Sequence, residues 1–249
     1  IKGKKWHTKL VKRQKQSMST VVTIAAYNEA ENIGAVVRGV RELGYRCIVV
    51  DDGSVDTTAE IAEANGAEIA RHMVNLGQGR AMLTGFQAAM IDPECEFIIG
   101  MDGDGQHDPS EIPLFVNALK ASDTDVIVGS RLLSENVVHA SPVHRLLRPA
   151  YNGMISKITG YKISDPLTGY RCFRRRAFER VPEMFQLNIE PQYFTVELFV
   201  RLSRAGISVD EIPVHVRARA SGTSHKGLFQ FGIGILFATF RVLFSSPRS

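Results

Sequence analysis

The chain has 249 residues, 30 Lys+Arg against 26 Asp+Glu, and 44% hydrophobic residues. That length suits one large α/β domain, alone or with appendages, and the ordinary apolar and charged fractions exclude wholesale disorder and collagen-like structure. The net charge of +4 is uneven: seven basic residues and no acid fall within residues 1–17, leaving 23 basic against 26 acidic residues for the rest. A basic tail of this kind suits nucleic acid or anionic lipid, or is a solvated arm. Cys47, Cys95 and Cys172 are odd in number and widely spaced. They offer neither a disulfide framework nor a CxxC metal site, and point to a reducing compartment. Residues 1–17 hold no apolar stretch of signal-peptide length.

The body reads as strands alternating with helices. Thr20–Ala26 is a short β-branched run, and residues 29–43 carry apolar positions at helical spacing (Ile33, Val36, Val37, Val40, Leu43). Cys47–Val50 is a second buried strand; Asp56 and Thr57 offer caps for a helix through about Asn65, closed by Gly66. A short strand near Glu68–Arg71, a helix from Gly79 to about Ile91, a strand at Phe97–Met101, a helix begun at Pro109 and ending near Ala121, and a strand at Val126–Gly129 follow. Leu132–Pro149 has weak structural signals and reads as a mobile surface loop. A helix around Gln192–Ala205 and a strand around Ile207–Val216 complete the pattern. This alternation predicts an α/β fold, a mostly parallel central sheet with helices on both faces.

In an open parallel sheet, ligands bind beyond the carboxyl ends of the strands. Here those ends are all polar: Tyr27-Asn28-Glu29, Asp51-Asp52-Gly53-Ser54, Asp102-Gly103-Asp104-Gly105-Gln106-His107 and Ser130-Arg131. Asp-Gly is turn chemistry, but turns alone do not need so many acids at one edge. Asp102 and Asp104, separated by one glycine, suit a hard divalent cation. Gln106 offers a further oxygen, and Mg²⁺ typically fills the rest of its shell with water and substrate phosphates. Such an ion neutralises a diphosphate leaving group. Residues 75–81 (NLGQGRA) form a Gly-containing loop opening a helix, either an anion site or a plain turn, and match neither a dinucleotide fingerprint nor a P-loop.

The segments AYNEAEN (26–32), VVDDGSVDTT (49–58), NLGQGRA (75–81), MDGDGQHDP (101–109), GSR (129–131), DPLTGYR (165–171) and RASGTSH (219–225) occur in order. Together they resemble glycosyltransferase family 2, in its dolichol-phosphate mannosyltransferase-like branch of polyprenyl-phosphate glycosyltransferases. The resemblance covers about residues 20–226. It implies a GT-A (Rossmann-like) fold and an inverting, metal-dependent transfer of a sugar from a nucleotide-diphosphate sugar (GDP-mannose or a UDP-hexose) to a polyprenyl or dolichyl phosphate. It also implies site residues: Ala25, Tyr27, Glu29, Val50 and Asp52 around the nucleobase; Asp102, Gly103 and Asp104 for metal and diphosphate, with Gln106 completing a Mg²⁺ or Mn²⁺ shell; Arg131 toward the phosphates or the acceptor. Arg219, Ser224 and His225 would close over the donor. Asp165, Thr168, Gly169 and Arg171 match the acceptor-side motif, and Glu197 an acidic position on the next helix. Ala25 stands where Pro is usual, Thr57 where Gly is usual, and His225 where the eukaryotic enzymes have Lys.

A lipid monophosphate, with a second pKa near 6 by analogy with phosphoserine, is largely dianionic at neutral pH and needs no strong general base. The protein's work is to hold that anion in line and stabilise the departing diphosphate. Arg131 and Arg171 are the candidates for the acceptor phosphate, because a planar guanidinium suits bidentate contact. Asp165 is expected to orient one of them or to form a structural pair with Arg171. A polysaccharide or soluble hydroxyl acceptor would instead require a base, for which Asp165 is the candidate. A DxD phosphatase expects its motif after the first strand and a Thr or Val two places after the second Asp, whereas here the motif follows a later strand and Gln106 holds that position. A nucleic-acid binder would work through the tail, and the acidic strand ends of the body argue against phosphate-backbone contact there.

No stretch is long enough to span a bilayer: the apolar run Gly227–Phe240 has 14 residues against the roughly 20 required. Residues 227–249 are expected as an apolar helix covered by lipid or by a second copy of the chain, with the basic tail 1–19 a second membrane contact. The expected location is the cytoplasmic face of a membrane, peripherally bound.

Overall fold

A computed structural model of the chain describes residues 19–134, 142–186 and 194–217, with 142–150 as backbone alone. Seven strands form one sheet: β1 (Thr20–Ala26), β2 (Arg46–Asp51), β3 (Glu68–Arg71), β4 (Phe97–Asp102), β5 (Val126–Ser130), β6 (Arg171–Arg174) and β7 (Val209–Pro213). Their order is β3-β2-β1-β4-β6-β5-β7. Pairings β1–β2, β1–β4, β2–β3 and β5–β7 are parallel, and β6 lies antiparallel between β4 and β5. The helices are α1 (Ile33–Glu42), α2 (Thr58–Ala64), α3 (Gln78–Met90), α4 (Ile112–Ala121), α5 (Pro142–Thr159), α6 (Arg175–Glu179) and α7 (Phe194–Arg204).

The sheet separates two apolar clusters. Val36, Val37 and Val40 of α1 join Ile112, Phe115 and Leu119 of α4 on one face. Met82 and Phe86 of α3, Phe178 of α6 and Phe199 of α7 pack on the other. The one-face spacing of Ile33, Val36, Val37 and Val40 is what buries them.

Three local readings differ from the sequence expectation. The helix expected from Pro109 opens as a 3₁₀ turn over Pro109–Glu111, where the Asp108 side chain accepts from the Ser110 N–H, and becomes α-helical only at Ile112. The stretch read as a surface loop to Pro149 is helical from Pro142, because α5 packs against α7: Ile155 meets Val196 and Val200, flanked by Tyr151, Met154 and Ile158. Pro149 and Gly153 interrupt the local pattern that announces this helix. Strand β6 was not expected. Its four residues follow a turn-rich motif and become a strand only because β4 and β5 present edges on both sides. The tail 1–18, the apolar segment 227–249, and Arg219, Ser224 and His225 lie outside the described residues.

Candidate active site

Strand register places the motifs. Ala25 stands opposite Val50 on one side and Asp102 on the other. The Ala25 carbonyl accepts from the Gly103 N–H at 3.0 Å, and the Ala26 carbonyl from the Asp52 N–H at 2.8 Å. Three motifs spread over more than 75 residues of chain thus share one sheet edge. A β-carbon on Gly103 would stand 3.0 Å from that of Ala26, so the glycine admits close passage of the loop over β1.

The loops after β1 and β2 are stitched together. The Asn28 N–H donates to Ser54 Oγ at 2.9 Å, and the Val55 N–H donates back to Asn28 Oδ1 at 3.0 Å. Glu29 N–H donates to Thr58 Oγ1 at 2.8 Å, and Ala30 N–H to Asp56 Oδ2. Asn28 pays for this crossing with φ of 54°. Tyr27 is half-exposed at the rim, whereas Glu29 is buried, accepting from Asn32 Nδ2 at 2.9 Å.

Asp52 is buried and serves the loop before α3. Its Oδ1 accepts from the Leu76 N–H (2.9 Å) and its Oδ2 from the Gly77 N–H (2.7 Å); the His72 ring meets Oδ1 at 2.7 Å and Thr84 Oγ1 at 2.9 Å. Asp51 accepts from the Ser54 N–H and pairs with Arg71 at 2.9 Å. The first carboxylates of the edge therefore fix the loops.

At the end of β4, Asp102 Oδ1 accepts from Gln78 Nε2 at 2.6 Å, and the Asp102 N–H donates to His107 Nδ1 at 3.2 Å. Asp104 Oδ1 accepts from the Gln106 N–H at 3.1 Å, while Gly105 takes φ of 76°. His107 is buried, stacks on Tyr170 with centroids 4.8 Å apart, and burial pushes its pKa below the ordinary value. A neutral ring with Nδ1 unprotonated is the form that accepts the Asp102 N–H. Among the described residues no group of three or more His, Cys, Asp or Glu could hold a metal ion. Asp102, Asp104 and Gln106 lie together in the loop after β4, two carboxylates and an amide that could contribute to a smaller set completed by water and phosphate oxygens.

Arg131, just past β5, is clasped by Asp165: Nε to Oδ2 at 2.6 Å and Nη2 to Oδ1 at 2.8 Å, with the Arg131 N–H also donating to Oδ2 at 3.1 Å. These bonds raise the guanidinium pKa above its already high ordinary value. The Asp165 side chain is 3% exposed and that of Arg131 34%, so the arginine is partly open to solvent while its partner is covered. Asp165 pairs with Arg131 and not with Arg171.

Arg171 lies beneath, 1% exposed. Its Nη2 donates to the Pro166 carbonyl at 2.8 Å and Thr195 Oγ1 at 3.3 Å, and the guanidinium covers the Phe199 ring at 5.0 Å. Nε and Nη1 are buried with no hydrogen-bond partner among the described residues, as is the Tyr151 hydroxyl. Burial pulls the Arg171 pKa down to about 10. Thr168 is buried, and its Oγ1 accepts from the Tyr170 N–H; Glu197 pairs with Arg201 at 2.8 Å along α7.

After β7 the chain crosses the loop that follows β4. The Arg217 N–H donates to the Gln106 carbonyl at 3.0 Å, Val216 bridges His107, and the Arg217 guanidinium meets Asp108. His215 meets Glu111 Oε1 at 2.9 Å. His72, Gln78 and His107 were not singled out from sequence, although Gln78 and His107 lie inside quoted motifs; Glu211, described below, carries no local signal.

Residues 21–181 match the family model Glycosyl transferase family 2. The polyprenol monophosphomannose synthase of Mycolicibacterium smegmatis is 29% identical over 214 residues, covering 82% of this chain and 80% of the relative. The dolichol-phosphate mannosyltransferase of Pyrococcus furiosus is 29% identical over 228 residues, 86% of this chain but 62% of the longer relative. Among solved structures, the glucosyl-3-phosphoglycerate synthase of Mycobacterium tuberculosis in complex with Mn²⁺, uridine diphosphate and phosphoglyceric acid is similar with a TM-score of 0.70 at 18% identity, covering 94% of this chain and 82% of that one. That likeness shows the shared fold. The chain belongs to glycosyltransferase family 2: it is a glycosyltransferase of GT-A fold whose relatives include polyprenol- and dolichol-phosphate mannosyltransferases.

Proposed function

We propose that the protein transfers a hexose from a nucleotide-diphosphate sugar, GDP-mannose or a UDP-hexose, to a polyprenyl or dolichyl phosphate with inversion. The observation that carries this reading is Arg131. Its guanidinium is locked by a buried carboxylate, its side chain is partly exposed, and it stands beyond the same sheet edge as Asp102 and Asp104. A fixed, permanently charged fork is suited to a phosphate acceptor.

In this reading Ala25, Tyr27 and Glu29 line the nucleoside side, Val50 lies fully covered beneath them in β2, and Asp52 shapes the site through the amides of Leu76 and Gly77. Asp102, Asp104 and Gln106 would hold Mg²⁺ or Mn²⁺, which supplies charge neutralisation at the leaving diphosphate. Arg131 holds the acceptor phosphate in line with the anomeric carbon. An oxygen of that phosphate forms the new bond to the carbon as the bond to the diphosphate oxygen breaks. No proton need be removed from a dianionic phosphate. Asp165 orients Arg131, and Arg171 contributes a buried positive charge to the floor of the site without touching the phosphate. A hydroxyl acceptor fits less well, because both oxygens of Asp165, its candidate base, already accept from Arg131.

No helix among the described residues is long and apolar enough to cross a membrane. Residues 1–19 and 227–249 are proposed to hold the enzyme peripherally at a membrane surface, where the lipid acceptor resides.

Calorimetric titration of GDP-mannose, UDP-glucose and UDP-N-acetylglucosamine, with and without Mg²⁺ or Mn²⁺ and repeated on Asp104→Ala, tests the donor half. Metal-dependent binding of one donor, lost in the variant, is the expected result. Transfer of that sugar to a short polyprenyl phosphate tests the acceptor half.

A further inference from the structure

Glu211 lies on β7 at the edge of the sheet, outside the seven segments quoted above and outside the matched residues 21–181. Its carboxylate faces no cation among the ion pairs of the described residues. Instead it accepts from two consecutive backbone amides: Oε2 from the Ser164 N–H at 2.7 Å and Oε1 from the Asp165 N–H at 3.0 Å. The turn it grips is held on two further sides. Ser130 Oγ meets Ser164 Oγ at 2.7 Å, and Asn152 Nδ2 donates to the Ser164 carbonyl. This turn carries the Asp165 side chain to Arg131.

We infer that Glu211 is a positioning residue for the acceptor site, acting on Arg131 through Asp165; this rests on the acceptor reading given above. A bidentate arginine–carboxylate pair works only in one plane and at one spacing. The plane of the Asp165 carboxylate follows from the backbone that bears it, and that backbone is fixed by Glu211. A carboxylate is the suitable side chain, since two adjacent N–H groups need two acceptor atoms. A glutamine offers one acceptor oxygen and would turn its NH₂ against the second N–H. Parallel pairing sets Glu211 opposite Val128 and Pro213 opposite Ser130, so the grip sits level with the strand that ends at Arg131. The chain therefore builds its phosphate fork as a relay of three acidic or basic side chains from three segments, and only the last of them faces substrate.

The test uses Glu211→Gln and Glu211→Ala in the full chain, with three readouts. The first is the Nε–H resonance of Arg131 by NMR, identified by its loss in Arg131→Lys. In the wild type it is expected to be protected from exchange by the Asp165 bond, and in Glu211→Gln to exchange at least several-fold faster. The second is donor affinity with Mn²⁺, expected to stay within about twofold. The third is transfer to a short polyprenyl phosphate, with the acceptor KM raised roughly tenfold and kcat changed less. An unchanged Arg131 resonance and acceptor KM in both variants overturns the proposal. So does a parallel loss of donor affinity, or failure of both variants to fold, because Glu211 would then act on the fold at large. If the wild-type protein transfers nothing to the lipid phosphate, the acceptor reading fails, while the Arg131 exchange rate still decides whether Glu211 positions it.

Discussion

Gly169 and Asp102 touch so closely that no side chain fits between them. A β-carbon on Gly169 would stand 2.7 Å from Asp102 Oδ1 and 2.8 Å from Oδ2. The glycine lies on the turn before β6, and the carboxylate on the last residue of β4. Their contact follows from antiparallel pairing of β4 with β6, which sets Gly100 opposite Arg171 and brings the residue two places earlier beside Asp102.

Gly169→Ala is therefore expected to displace the Asp102 carboxylate from Gln78 while leaving both apolar clusters intact. Metal-dependent donor binding should weaken by roughly tenfold or more, with a thermal midpoint lowered by only a few degrees. Calorimetry and a melting curve on one preparation check both halves. An unaltered donor affinity would show that Asp102 is not part of that site.

Asp165→Asn keeps the volume and removes the charge. Arg131 keeps its place but loses an acceptor, so acceptor KM should rise more than donor Kd, and stability should fall by about 1–3 kcal/mol. The raised Arg131 pKa adds no pH dependence near neutrality. Stability linked to a raised guanidinium pKa is fully present below the unfolded value, itself far above neutrality, and is lost only as pH climbs through the still higher folded one. The wild-type and Asp165→Asn stability difference should thus stay level from about pH 6 to 9. Denaturant titrations at both limits measure it.

His107 supplies a pH dependence of the opposite kind. Burial lowers its folded pKa, so the unfolded chain binds a proton first as pH falls below about 6.5. Stability from the neutral ring is present above that value and is lost on acidification, until the folded ring also protonates. His107→Asn places an amide oxygen near the position of Nδ1 and cannot titrate. Its melting temperature should change less between pH 7 and pH 5 than that of the wild type, as a pH series of thermal melts will read.

Tyr151 offers the cheapest substitution in the site. Its hydroxyl is buried without a hydrogen-bond partner among the described residues, and burial raises its pKa. An unpaired buried hydroxyl is a net cost, so Tyr151→Phe should leave stability unchanged or raise it by up to about 1 kcal/mol. A loss of more than about 1 kcal/mol in denaturant unfolding would instead mean that the hydroxyl is satisfied in solution.

Much of the site was legible because local chemistry dictates it. Buried β-branched runs such as Thr20–Ala26 must become strands, and in a parallel sheet the residues just after them, Asp51-Asp52 and Asp102–Asp104, must gather at one edge. The ordered motifs then carried the family. Other features required the folded chain. Arg171–Arg174 has no strand signal of its own and pairs because β4 and β5 leave edges to fill. Likewise α5 owes its helix to packing on α7, across Pro149 and Gly153. Sequence proposed Arg131 and Arg171 as equals, whereas tertiary burial separated them into a partly exposed side chain and a fully covered one. Asp165 reaches Arg131 across 34 residues, and Glu211 reaches Asp165 across 46. Chain order holds no record of such distances: hydrogen bonds between turns depend on where strand register sets their backbones, and register is decided by the whole sheet.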